Sequence, residues 1–92
     1  MPTLVDFWAE WCAPCKAQKR IVREVAQHYG PRVQVASINV DEWPQLAQRF
    51  QIKSVPTQLI FHRGEIRERR SCVSSRAELV QVLDVILGDA ES

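Results

Sequence analysis

No run in this sequence is apolar for long enough to span a bilayer, so no transmembrane helix is expected. Nor does a basic start lead into an apolar stretch and a small-residue cleavage site, so no signal peptide is expected either. Charge of one sign is also missing. The 12 Lys and Arg stand against 11 Asp and Glu, and a net charge of +1 gives no electrostatic reason to bind nucleic acid or an anionic membrane. Proteins are the expected partners. The sequence has no Gly/Ser linker, repeat or low-complexity tract, which points to one domain over residues 1–92. That length lies near the lower end of what supports a core without staples, and the 46% hydrophobic content suffices for one. Cysteine is scarce and odd in number: three cannot all pair within the chain. An odd count suits a reducing compartment, where disulfides are transient, and the cytoplasm is the default location. A mature fragment of a longer precursor would read the same.

What is present concentrates in Phe7-Trp8-Ala9-Glu10-Trp11-Cys12-Ala13-Pro14-Cys15-Lys16. The apolar, β-favouring run Thr3 to Trp8 reads as a buried strand. From about Cys12 onward apolar residues recur at helical spacing, at Ile21, Val22, Val25, Ala26 and Tyr29. The two cysteines therefore fall on the first helical turn. Unpaired backbone N–H groups and the positive end of the helix dipole favour an anion there, so the Cys12 thiolate is stabilised relative to its thiol. Helical residues three apart share a face, which lets Cys15 reach Cys12 and close a small, easily opened disulfide. Pro14 fits the first turn, where its missing N–H leaves no helical bond unmade. Such a pair also furnishes half a zinc site. Zinc needs four ligands, and the remaining candidates Cys72, His28 and His62 are scattered singly, so dithiol chemistry is the preferred reading and no metal is expected.

The coarse order along the chain is strand, helix, strand, helix, strand, strand, helix. In the first strand, Leu4, Asp6 and Trp8 point to one face and Val5 and Phe7 to the other. Asp6 is anomalous: a carboxylate in a strand covered on both faces should have its pKa raised by desolvation, unless the position is exposed. The first helix runs to about Tyr29 and stops at Gly30-Pro31. Val33 to Val40 reads as a second strand, parallel to the first through a right-handed crossover. Asp41 is a plausible N-cap for a short helix through Arg49. Gln58 to His62 and Ile66 to Ser71 form a hairpin around Arg63-Gly64, with Pro56 at or just before the start of its first strand. The charges of Arg67, Glu68, Arg69 and Arg70 suit a solvated edge strand, or else a patch for an acidic partner. Ser75-Arg76-Ala77-Glu78 matches a capping box, and Leu79, Val82, Leu83 and Ile86 make one apolar helical stripe that ends near Gly88.

From Val5 to Cys12, and again at Pro14-Cys15-Lys16, the sequence resembles the active-site segment of bacterial thioredoxins. Asn39-Val40-Asp41, Val55-Pro56-Thr57 and Phe61-His62-Arg63-Gly64-Glu65 fall where that family has its matching segments, so the resemblance covers Thr3 to Leu87. It implies an α/β thioredoxin fold. The family commonly begins with a further strand and helix, for which this sequence starts too late. The expected architecture is therefore the minimal four-stranded mixed sheet flanked by three helices, βαβαββα, with the second strand left as an edge. A monomer is expected, with edge pairing into a dimer as the alternative.

The resemblance also implies roles. Cys12 would be the nucleophile, Cys15 the resolving thiol, and Asp6 the buried base that relays the proton of Cys15. Trp11, Ala13, Pro14, Val55 and Pro56 would line the substrate groove, with Val55-Pro56 a cis bond whose backbone pairs with an extended substrate. Asp41 would accept a hydrogen bond from the indole of Trp8. Cys72, where relatives usually carry glycine, lies on a loop beside the cysteines. It is expected to act as a small apolar filler, or alternatively to form a second disulfide with Cys12 or a glutathione adduct. Arg20 replaces a kink-forming proline, Ser37 a lysine that pairs with the buried aspartate, and Ala13 the usual glycine. The function implied is a thiol-disulfide oxidoreductase, in particular a protein-disulfide reductase. It would need no cofactor, act on disulfide-containing proteins and be recycled by a reductase such as thioredoxin reductase. The alternatives are a disulfide isomerase or oxidase, and a redox-inactive binding module.

Overall fold

Thr3–Trp8, rich in residues that fit a pleated surface covered on both sides, forms β1, beside which the rest of the sheet assembles. The computed structural model describes the backbone of residues 1–91 and the side chains of residues 1–88. After β1 come α1 (Ala13–Tyr29), a 3-10 turn (Gly30–Arg32), β2 (Gln34–Asn39), α2 (Pro44–Arg49), β3 (Thr57–His62), β4 (Glu65–Arg70) and α3 (Arg76–Glu91). The sheet order is β2-β1-β3-β4, with β2 parallel to β1 and the other neighbours antiparallel. This is the expected mixed sheet of four strands with three helices. The parallel pair is the one joined through α1, because a hairpin cannot return a strand in the same direction.

The alternation in β1 decides which helix covers which face. Leu4 and Ile60 pack with Val22, Val25 and Tyr29 of α1 and with Leu79, Leu83 and Ile86 of α3. On the opposite face Val5, Phe7 and Leu59 meet Phe50, which follows α2 and lies 6.3 Å from the Phe7 ring and 5.5 Å from the Phe61 ring. Tyr29 locks α1 to α3 by donating its hydroxyl toward Val80 O at 3.0 Å and Asp84 Oδ1 at 2.6 Å. The charged strand β4 lies at one edge, as its solvated residues require, and β2, with Gln34, Ala36 and Ser37 exposed, lies at the other.

The start of α2 differs from the sequence expectation, whereas the hairpin turns where expected. Asp41 is not the N-cap of α2. Asn39 Oδ1 accepts from the amides of Asp41 and Glu42, the chain turns there, and the helix starts only at Pro44, whose fixed φ suits a first helical position. The β3–β4 hairpin turns through Arg63 at φ +55° as well as Gly64 at +78°, the paired positive angles that match the twist of two antiparallel strands.

The capping box of α3 forms as expected. Glu78 N donates to Ser75 Oγ at 3.1 Å and Ser75 N to Glu78 Oε1 at 2.8 Å. Replacing Ser75 with Ala should cost about 1 kcal/mol, because one helix donor loses its acceptor. For a chain of this size the melting temperature should fall by about 4–8 °C. Thermal unfolding followed by circular dichroism checks it, and an unchanged midpoint would mean that water replaces the hydroxyl at no cost.

Candidate active site

Where β1 ends at Trp8 the chain makes a tight turn, Cys12 N donating to Ala9 O at 3.2 Å, and then enters α1. Cys12 has extended backbone angles and serves as the N-cap of α1, one residue before the helix proper. Its sulfur occupies the place an N-cap oxygen usually takes, accepting from Cys15 N at 3.2 Å. Ala13 and Pro14 follow in the first turn, and Cys12 and Cys15 form a disulfide across Cα atoms 5.4 Å apart. Both cysteines are buried, in a small cluster with Ala9 against which Trp8, Val40 and Val55 pack. The Val55–Pro56 bond is cis, as the resemblance implied.

The turn is braced from β2. Trp11 is largely exposed, yet its indole Nε1 donates to Asp41 Oδ2 at 2.9 Å, and Asp41 N is held on the buried Asn39 at 2.9 Å. The bond to Asp41 therefore comes from Trp11 and not from Trp8. The ring of Trp8 instead carries the Lys19 ammonium, 3.5 Å from its centroid. Trp11, Val40 and the segment from Ile52 to Val55 line a shallow cleft of about 110 Å³ beside the cysteines.

Asp6 is fully buried, so the exposed-strand alternative is overturned. Neither carboxylate oxygen has a hydrogen-bond partner among the described residues. Burial pushes its pKa up to about 7, against the opposing pull of the Lys19 charge. Cys72 is a free, exposed thiol, which corrects its expected role as an apolar filler. The buried position in that loop belongs to Ser74. Its N–H donates to Gln18 Oε1 at 2.7 Å, its carbonyl accepts from Gln18 Nε2 at 3.1 Å, and its hydroxyl donates to Gln58 Oε1 at 2.7 Å. Among the described residues no three of His, Cys, Asp and Glu converge as metal ligands.

Sequence reasoning missed Gln18 and Lys19. The available signal was spacing, since they follow Cys15 by three and four positions and so share its side of α1.

The family model described as Thioredoxin matches residues 1–85. The chain belongs to the thioredoxin family. Among curated thioredoxins, one from Acidithiobacillus ferridurans is 42% identical over 83 residues, which are 90% of this chain and 77% of that protein. Thioredoxin M3, chloroplastic, from Oryza sativa is 35% identical over 91 residues, 99% of this chain, which spans only 52% of it. The solved structure of thioredoxin-2, described as a component of malaria parasite protein secretion machinery, superposes with a TM-score of 0.89 at 24% identity. It covers 91% of this chain and 82% of its own, a likeness of fold. As a thioredoxin with a Cys12–Cys15 disulfide at the helix start, the chain is a thiol-disulfide oxidoreductase. No helix among its described residues is long and apolar enough to cross a membrane.

Proposed function

We propose that this thioredoxin is a protein-disulfide reductase. The observation that carries the reading is the Cys15 amide aimed at the Cys12 sulfur at the start of α1, because a donor in that place favours a thiolate when the bond is open. The Cys12 thiolate attacks one sulfur of a partner's disulfide, and the other partner sulfur leaves as a thiolate. Cys15 gives its proton to the Asp6 carboxylate and attacks the Cys12 sulfur, expelling the first partner sulfur. Two electrons have then passed to the partner, the two released thiolates take up protons from water, and the Cys12–Cys15 bond remains.

Trp11, Ala13, Pro14, Val55, Pro56 and Cys72 form the docking surface. The packing of Val55 on the cysteines supports this, as does the exposure of Trp11, Ala13, Pro14 and Cys72. An extended segment of the partner pairs with the Val55 backbone, which binds many sequences alike. A reductase of the thioredoxin reductase type returns the electrons, and the protein works as a monomer. An exposed free thiol at Cys72 suits a reducing compartment such as the cytoplasm.

The deciding experiment is a redox titration of the dithiol, coupled to reduction by candidate reductases. A potential near about −270 mV with rapid reductase turnover is expected; one near about −180 or −120 mV would assign the protein to isomerisation or oxidation instead.

A further inference from the structure

A carboxylate that must cycle between its acid and its anion inside a protein needs a countercharge and a way out for the proton. The strands beside Asp6 offer neither. Its register partners are Ser37 on β2, exposed and uncharged, and Gln58 on β3, whose amide oxygen is occupied by Ser74. Beyond Gln58, Arg70 of β4 is committed to Glu78 of α3 at 2.6 Å and to Glu68 at 3.7 Å. The remaining side is α1. There Cys15, Lys16 and Lys19, together with Trp8, Ala9 and Glu10, line a cleft of about 150 Å³ that opens beside the second cysteine. Lys19 is half-buried in it. Its ammonium rests on the face of Trp8, the residue two places along β1 from Asp6 and on the same side of the sheet.

We propose that Lys19 is the positioning residue for Asp6: its ammonium, parked on the Trp8 ring at the mouth of the cleft beside Cys15, is the countercharge of the carboxylate. The proposal deepens the reading of Asp6 as the acceptor of the Cys15 proton and rests on it. The α1 side suits this task better than β2. A charge held in a cleft open to water stabilises the anion while Cys15 is losing its proton, and it leaves water room to collect that proton from Asp6 afterwards.

The sign of the effect follows from Coulomb attraction. A neighbouring cation favours ionised Asp6, so its removal moves the carboxyl titration to higher pH. In Lys19→Met the Asp6 midpoint, read by carbon NMR on the oxidised protein, should rise by about one pH unit. At pH 7 the ionised fraction, and with it the rate of disulfide reduction, should fall roughly fivefold. Lys19→Arg should restore both. In an Asp6→Asn background Lys19→Met should leave the pH profile of the rate where it was, which a purely structural role for Lys19 would not require. A midpoint unmoved in Lys19→Met overturns the proposal. A midpoint that rises while the rate at pH 7 stays level supports the countercharge and overturns the Asp6 relay instead.

Discussion

Replacing Cys12 with Ser is expected to abolish reduction of protein disulfides, with a loss of at least about a thousandfold in rate, while the fold remains intact. The nucleophile is the thiolate, and a serine hydroxyl held by the same Cys15 amide is neither ionised near neutral pH nor able to form a sulfur–sulfur bond. Cys15→Ser should behave differently. Its first attack survives, but nothing displaces the partner, so a mixed disulfide with Cys12 accumulates. Mass spectrometry of the trapped complex, beside a turnover assay of both variants, separates the two roles. If Cys12→Ser reduced disulfides as fast as the native protein, the redox reading would give way to a binding module whose cysteines are incidental.

Asp6→Asn is expected to make the protein more stable at alkaline pH and hardly at all in acid. The folded state holds the Asp6 proton up to about 7, whereas an ordinary aspartate releases it near 3.8. A carboxyl pKa raised by folding means that the folded state binds the proton more tightly than the unfolded chain does. Its stability is thus full below pH 3.8, falls as pH rises toward 7, and stays low above that. The interval between the two values corresponds to an upper limit of roughly 4 kcal/mol. Asparagine removes the titration but keeps a polar group in a site without partners, so the gain at pH 8 should be about 2–4 kcal/mol. Denaturant unfolding of the oxidised proteins at pH 4, 6 and 8 checks it. A gap between variant and native that is equal at all three pH values would show that shape, not charge, decides the difference. On the proposed relay the same variant should reduce disulfides at least about tenfold more slowly, because an asparagine there could not accept the Cys15 proton.

How much was legible in the sequence divides along the range of the interactions. The helix carrying the thiols, the Ser75–Glu78 box and the stripe of Leu79, Leu83 and Ile86 are set by contacts a few positions apart, so spacing alone reveals them. Burial of Asp6 follows from its place in an apolar strand. Spacing from Cys15 places Gln18 on the right side of α1, but its partner was not legible, because Ser74 is 56 positions away and a glutamine on a helix ordinarily faces water. The partner of Asp41 was likewise hidden. Trp8 and Trp11 flank the same turn, and which indole N–H points at the carboxylate depends on how the loop lies over the end of β2. Cys72 misleads by residue type: cysteine favours burial, but in this loop Ser74 is turned inward and Cys72 outward.

The pair of hydrogen bonds between Gln18 and the Ser74 backbone has a consequence for how partners are received. It clips the loop between β4 and α3 onto the helix that bears Cys15, one turn below the sulfurs. Loop and helix are thereby fastened to each other at both hydrogen-bonding groups of one amide side chain. On the proposed docking surface, a partner seated on Cys72 is therefore held in a fixed relation to the helix that bears Cys15.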